Sequence, residues 1–321
     1  MDFVSAVVAA GWANAPVTPV GPTPEQSTRL RFQPTEDDEV VVGVDIGGTK
    51  ILVSAWGQGG ITEHRVELAD RANTDLVDFV LKAINHCIGD QKLKALTIGV
   101  PGVVDQDHGS LDIAPNLPGW ESINIAETFS SRLRVPVEVE NDVNLAAYGE
   151  FIWRSSQDMT FIAIGTGIGG GIVIDGEIVH GNTGAAGEVF DIPVPGVDPH
   201  QLRPVEDITC GPGLENLYTE IAGQPLSPPE ILRRINSDAA AEQAVDVFGR
   251  SVAILVSAIH GILEPDLVVI GGGLGVQDEI LHSIDAHLQA FKRRSVRVEP
   301  SLLEARASTL GALARAAQLA K

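Results

Sequence analysis

Three glycine-rich stretches hold the residues whose types and spacing could do chemistry. The first is VVVGVDIGGTKILVSA, Val40 to Ala55. Val40 to Val44 reads as a buried strand that delivers Asp45, and Ile51 to Ala55 reads as the returning strand. Gly47 and Gly48 make the turn between them, followed by Thr49 and Lys50. Glycine lets backbone approach a ligand closely and turn its N–H groups toward it, which suits phosphate. The strand-to-helix P-loop is excluded, because no G-x-x-x-x-G-K-[ST] is present and a strand follows the turn. Lys50 reads equally well as a phosphate partner or as a solvated edge lysine. The second stretch, FIAIGTGIGGGIVI (Phe161 to Ile174), repeats strand, glycine turn and strand, with Thr166 and Gly167 at the bend. The third, LVVIGGGL (Leu267 to Leu274), is a strand that breaks into Gly271, Gly272 and Gly273.

A carboxylate lies between the first two. ENDVNLAAYGE, Glu140 to Glu150, follows a short strand and opens a helix at Asn141-Asp142. Asp142 taken alone is a helix cap, since helix N-termini favour side-chain acceptors and anions. Its place between two phosphate-type turns makes it equally a candidate for chemistry.

The elements that must position these groups follow from periodicity and punctuation. Leu76 to Ile88 has amphipathic helical spacing, and Leu93 to Val100 is a strand broken by Pro101-Gly102. PGVVD and NLPGW bracket a turn-rich hairpin, followed by helix Ile125 to Leu133 and strand Val135 to Val139. Helices are expected over Pro229 to Ile235 and Ala241 to Leu263, with Pro265 ending the second. His260 reads as a packed or capping histidine, and Lys292-Arg293-Arg294-Arg297 as solvated surface.

With 321 residues the chain has room for about two domains with a core each. A formal net charge of −21 argues against nucleic acid or an anionic membrane surface as partner. Cys87 and Cys210 are too few for a disulfide framework or a thiolate metal site, which fits a reducing cytosol. No uninterrupted apolar run reaches the roughly 18 residues of a membrane span. Phe3 to Ala15 is apolar but lacks a preceding positive charge, so a signal peptide is not expected. Residues 16 to 38 are rich in Pro, Thr, Glu and Asp, and 1–38 as a whole is taken as a mobile leader.

An Asp-bearing hairpin, a Gly-Thr-Gly hairpin and a late Gly-Gly-Gly turn, in this order, resemble the sugar kinase, Hsp70 and actin superfamily. With PGVVD, NLPGW, ENDVNLAAYGE, GAAGE and the closing STLGALARA, the chain more closely resembles the ROK family of sugar kinases and regulators, from about residue 40 to the C-terminus. The resemblance implies an α/β, two-lobed actin-like, ribonuclease-H-like fold with a cleft between lobes. The expected lobes are 39–141 plus 302–321, and 142–301. It implies transfer of the ATP γ-phosphoryl to a sugar 6-hydroxyl, with Asp142 as general base. Asn116 and Asn141 would bind sugar. Asp45 would hold Mg2+ through water, while Gly47, Gly48, Thr49, Lys50, Thr166, Gly167 and Gly271 to Gly273 would line ATP.

The chain departs from the family pattern after Gly181. GEVFD supplies Glu188 for the sugar, but Phe190 and Asp191 replace a Gly and a His, and the cysteine-rich zinc segment is missing. Tetrahedral zinc needs about four ligands, so no structural zinc is expected. VEDITCGPGLENLY is similar to the segment of zinc-free bacterial glucokinases, which makes Glu206 a sugar ligand, with Glu215 as its rival. An acid at Asp191 can accept bonds from glucose hydroxyls and would gain more from an ammonium. The runner-up substrate is therefore an amino-hexose such as glucosamine or kanosamine; alternatively Asp191 faces solvent and Phe190 fills the gap. A ROK transcriptional regulator is disfavoured by a leader that is short, proline-broken and holds only Arg29 and Arg31 as basic residues. The expected partners are a small-molecule sugar and nucleotide, with no nucleic acid and no membrane. The expected assembly is a cytoplasmic homodimer, and polyphosphate stays open as a donor.

Overall fold

The computed structural model describes residues 3–12, 38–72, 74–106, 108–113, 120, 123–154, 158–292 and 295–321. The chain divides into two compact units: Met1–Ser155 with Glu177–Ala186 and Arg306–Lys321, and Ser156–Gly176 with Gly187–Ala305.

The first unit is built on five strands, β1 (Glu39–Ile46), β2 (Lys50–Gly57), β3 (Gly60–Glu67), β4 (Lys92–Val100) and β5 (Val137–Asn141), in the order β3-β2-β1-β4-β5. The β1–β2–β3 meander is antiparallel, while β1–β4 and β4–β5 are parallel. β1 is an almost continuous apolar run because both of its faces are covered, as parallel sheets require. Helix α1 spans Phe3–Ala9, α2 Leu76–Ile88, α3 Ile125–Leu133, α4 Asp142–Arg154 and, at the far end of the chain, α9 Ala307–Leu319. Asp75 caps α2 by accepting the N–H groups of Val77 and Asp78. That helix buries Leu76, Val80, Ile84 and Ile88 against Val42 and Val44 of the sheet. Trp120 packs on Phe129 of α3 with ring centroids 6.3 Å apart.

Two expectations change here. Residues 3–12 are not part of a mobile leader. Phe3, Ala6 and Val7 of α1 are buried, the Phe3 ring lies edge-on to Trp56 at 5.1 Å, and the Arg306 guanidinium sits 5.3 Å from the centre of the Trp12 ring. An apolar helix with a sheet face to cover buries itself. Residues 13–37 lie outside the described residues. Helix α4, expected to begin the second lobe, belongs to the first unit. Its Gly149 and Gly311 of α9 let the two helices touch backbone to backbone, as a Cβ on Gly311 would stand 1.9 Å from Leu145 O.

The second unit repeats the pattern with β6 (Met159–Ile164), β7 (Ile168–Ile174), β8 (Leu267–Gly271) and β9 (Val298–Pro300), in the order β7-β6-β8-β9. β6 and β7 form an antiparallel hairpin, and β6–β8 and β8–β9 are parallel, as in β2-β1-β4-β5. Helices α5 (Gly211–Ala222), α6 (Pro228–Arg234), α7 (Ala239–Leu263) and α8 (Asp278–Ala290) cover it. α7 is long and apolar enough to cross a membrane by length and composition. Its buried Val245, Phe248, Val252 and Val256 are instead core of this unit. His260 lies in its last turn, partly buried, and the C-terminal cap is Glu264, whose N–H donates to the His260 carbonyl. Of the basic cluster, Arg297 pairs with Glu299, and Arg293 and Arg294 lie outside the described residues.

Candidate functional site

In the first unit the candidates gather at the carboxyl ends of the parallel strands, where α/β sheets bind ligands. Asp45 stands in register beside Gly99 of β4, and Val100 beside Asn141 of β5. Asp45, Pro101-Gly102 and Asn141-Asp142 therefore form one row. Gly47 N–H donates to Lys50 O at 2.9 Å and closes the turn. No atom lies within 4 Å of where a Cβ on Gly48 would be, which leaves backbone open to a ligand. Thr49 O accepts the Leu68 N–H, and Lys50 begins β2 opposite Glu67.

Ser308, at the start of α9, donates its hydroxyl to Asp45 Oδ1 at 3.0 Å. Burial raises the Asp45 carboxyl above its ordinary range, against the lowering effects of Ser308 and the Lys50 charge. A carboxylate in that state gains from a cation, so the Mg2+ role expected of Asp45 fits its setting.

The helix cap is Asn141, not Asp142. Asn141 Oδ1 accepts the N–H groups of Val143 (2.8 Å) and Asn144 (3.0 Å), and its Nδ2 donates to Gly102 O (3.0 Å). These bonds tie α4 to the PGVVD turn and give Asn141 a structural task besides any contact with sugar. Asp142 follows as the first helical residue, half-buried, with Oδ1 also accepting the Val143 N–H at 2.9 Å.

In the second unit the other two glycine turns converge. Gly165 N–H bonds to Gly167 O, Gly211 N–H at the start of α5 bonds to Gly165 O, and Ile164 O accepts the N–H groups of Leu274 and Gly275. Gly272 has φ +79°, and a Cβ there would stand 2.3 Å from Ile164 O, so this turn requires glycine. No atom lies within 4 Å of a Cβ placed on Gly165 or Gly273. Thr166 is exposed at the tip.

Gly187, at φ +95°, packs against Gly170 with a 2.9 Å hydrogen bond from Gly170 N–H to Gly187 O, and so sets Glu188 beside β7. Glu206 Oε2 accepts the Ile168 N–H at 3.0 Å, which places this expected sugar ligand directly on the Thr166-Gly167 turn. Burial, and then the charge of Glu206, push the Glu188 carboxyl up. Two carboxyls close enough to feel one another suit a ligand rich in hydroxyls. Glu215 lies beyond the first turn of α5.

Cys210 caps α5. Its Sγ accepts the Gly213 N–H at 3.3 Å and donates to Glu206 O at 2.9 Å, and burial pushes its thiol up. Among the described residues no three His, Cys, Asp or Glu side chains gather as metal ligands.

Asp191 and Phe190 are both exposed, Phe190 at 43%. Phe190 therefore does not fill a gap in the chain, and Asp191 faces solvent in this conformation. Asn116 lies outside the described residues. Ser308 was missed in the sequence, as were Glu140 and His180, whose side chains meet beside Asn141 at 2.5 Å.

Residues 41–320 match the model of the ROK family. A glucokinase of Halalkalibacterium halodurans is 29% identical over 79% of this chain and 86% of its own. An N-acetyl-D-glucosamine kinase of Mannheimia succiniciproducens is 29% identical over 87% and 99%. Among solved structures, the ROK family glucokinase of Streptomyces griseus in complex with glucose and AMPPNP superposes with a TM-score of 0.70. It shares 25% identity and covers 87% of this chain and 99% of that one.

Proposed function

The chain belongs to the ROK family, and on that premise we propose that it is a sugar kinase transferring the γ-phosphoryl of ATP to the 6-hydroxyl of glucose or a glucose-like hexose. The observation that carries this reading is the row Asp45, Gly102, Asn141 and Asp142 at one end of the first sheet. It combines a cation-seeking carboxylate and an open glycine turn with a second carboxylate on a fixed helix start. Phosphoryl transfer needs alignment and charge neutralisation more than covalent help.

In this reading Asp142 accepts the proton of the 6-hydroxyl, while Asn141 fixes the backbone that aims it. Glu188 and Glu206 accept hydrogen bonds from sugar hydroxyls. The coupling of Glu206 to Glu188 and to the Ile168 N–H supports it over Glu215. Gly47 to Lys50, Thr166-Gly167 and Gly271 to Gly273 cradle phosphates and nucleotide. Asp45 holds Mg2+, which when bound neutralises phosphate charge.

The test is formation of sugar phosphate across a sugar panel, with ATP and with polyphosphate as donor, for wild type and Asp191→Asn. Glucose is expected to turn over with ATP, and the solvent-facing Asp191 is expected to make no difference to it. If Asp191 instead folds in to read an ammonium, the substitution weakens 2-amino and 3-amino sugars selectively, by about 1–3 kcal/mol in kcat/KM. No phosphorylation of any hexose would overturn the reading.

Zinc-free folding is a second expectation, since Cys210 serves as a helix cap in thiol form. Metal analysis of purified protein is expected to find no stoichiometric zinc, and chelators should leave Tm unchanged. One tightly held zinc per chain would refute it.

A further inference from the structure

Residues Glu177–Ala186 interrupt the second unit's run of chain and pack in the first. Gly184 anchors this excursion: at φ +80° a Cβ there would stand 2.4 Å from Val104 O. Ala186 N–H closes it on His180 O at 3.1 Å. The excursion brings His180 Nε2 to 2.5 Å from Glu140 Oε2, and Glu140 is only 1% exposed. The other oxygen of that carboxylate accepts the Asn141 N–H at 2.8 Å and donation from Asn144 Nδ2 at 3.0 Å. Glu140 thus grips both residues that flank Asp142 and Val143 at the first turn of α4.

We propose that His180 is a positioning residue for Asp142, acting through Glu140, which it holds against the Asn141 amide and the Asn144 side chain. This rests on the reading of Asp142 as the proton acceptor. A buried carboxylate is unfavourable unless paired and hydrogen-bonded. Arg315 of α9 is engaged elsewhere, donating to Glu138 from Nε at 3.1 Å and lying 3.7 Å from Glu177 Oε2. Arg315 also feels the Glu140 charge, but the hydrogen bond to Glu140 Oε2 comes from His180. The charged groups facing it are Glu140 and Glu138 on β5 and Arg315 on α9. The hydrogen bond to Glu140 raises the imidazole pKa above its ordinary value, with burial opposing and the Glu140 charge reinforcing. The stabilisation from this pair is present in full below the ordinary histidine pKa and is lost as pH rises through the raised one.

The experiment compares wild type, His180→Ala and His180→Gln. It measures kcat and KM for glucose and ATP against pH, and backbone amide exchange over residues 141–145. His180→Ala is expected to lower kcat on the order of 10- to 100-fold, with KM for ATP unchanged within about twofold. Exchange over 141–145 should accelerate. His180→Gln keeps a donor without a titrating charge, so its kcat should sit near the level expected of wild type on the alkaline side, above that of His180→Ala, with no alkaline fall of its own. Unchanged kcat in His180→Ala with only a lower Tm would overturn the proposal. So would an alkaline fall that persists in His180→Gln, or unaltered exchange over 141–145 in His180→Ala. The exchange readout does not depend on turnover. A wild-type protein that phosphorylates no sugar therefore strikes the kinase reading, whereas unaltered exchange strikes the clamp.

Discussion

Asp142→Asn is expected to lower kcat by on the order of 10²- to 10⁴-fold at neutral pH, with sugar KM nearly unchanged. The substitution is close to isosteric. Asn can still accept the Val143 N–H that Asp142 Oδ1 takes at 2.9 Å, and the helix cap resides in Asn141, so α4 keeps its start. In the proposed role of Asp142, the change removes the proton acceptor and its charge. The remaining activity would come from alignment of the hydroxyl with the phosphoryl group, which often outweighs proton transfer in this chemistry. Steady-state kinetics on a protein shown to have wild-type Tm checks the expectation. Near-normal turnover would remove Asp142 from the role of base and leave the row of groups around it as a binding site only.

The local signals in this sequence were strong where single elements decide structure. Val40 to Val44, Phe161 to Ile164 and Leu267 to Ile270 are mainly β-branched and aliphatic runs with glycine close behind, and each lies in a strand leading into a turn. Their alignment at strand ends follows from the sheet order, which sequence alone does not print but the parallel pattern of the two hairpins implies. Other features depend on partners far away. Ser308 meets Asp45 across 263 positions, and no local property of a serine at a helix start reveals that. His180 meets Glu140 only because residues 177–186 leave one unit for the other. Between Asn141 and Asp142, both good caps, the choice is settled by a β-strand that ends at Asn141 and points its side chain back at the helix amides. The burial of α1 is hidden in the sequence by the polar, proline-rich residues that follow it.

Gly311→Ala is expected to destabilise the protein by about 1–3 kcal/mol, although alanine favours a helix over glycine by about 1 kcal/mol. The sign is decided by space. A Cβ at Gly311 would stand 1.9 Å from Leu145 O, 2.7 Å from Leu145 C and 3.1 Å from Gly149 N, all of them backbone of α4. No side chain can rotate away, so α4 and α9 must separate. α9 has little freedom to yield. It lies against β1 where a Cβ on Gly43 would already be 2.8 Å from Leu313 N, and its Arg315 is tied to Glu138 on β5. Gly261 of α7 provides the control, because it is exposed and nothing lies within 4 Å of its missing Cβ. Gly261→Ala should be neutral or stabilising by up to about 1 kcal/mol, on helix propensity alone. Urea unfolding of the two variants separates the cases: midpoints moving in opposite directions support the close crossing. The separation also moves Asp142 on α4 and Ser308 on α9, so kcat of Gly311→Ala should fall in whatever fraction stays folded. A Gly311→Ala protein as stable and active as wild type would mean that the two helices are not packed backbone to backbone, and that Asp142 is held without that support.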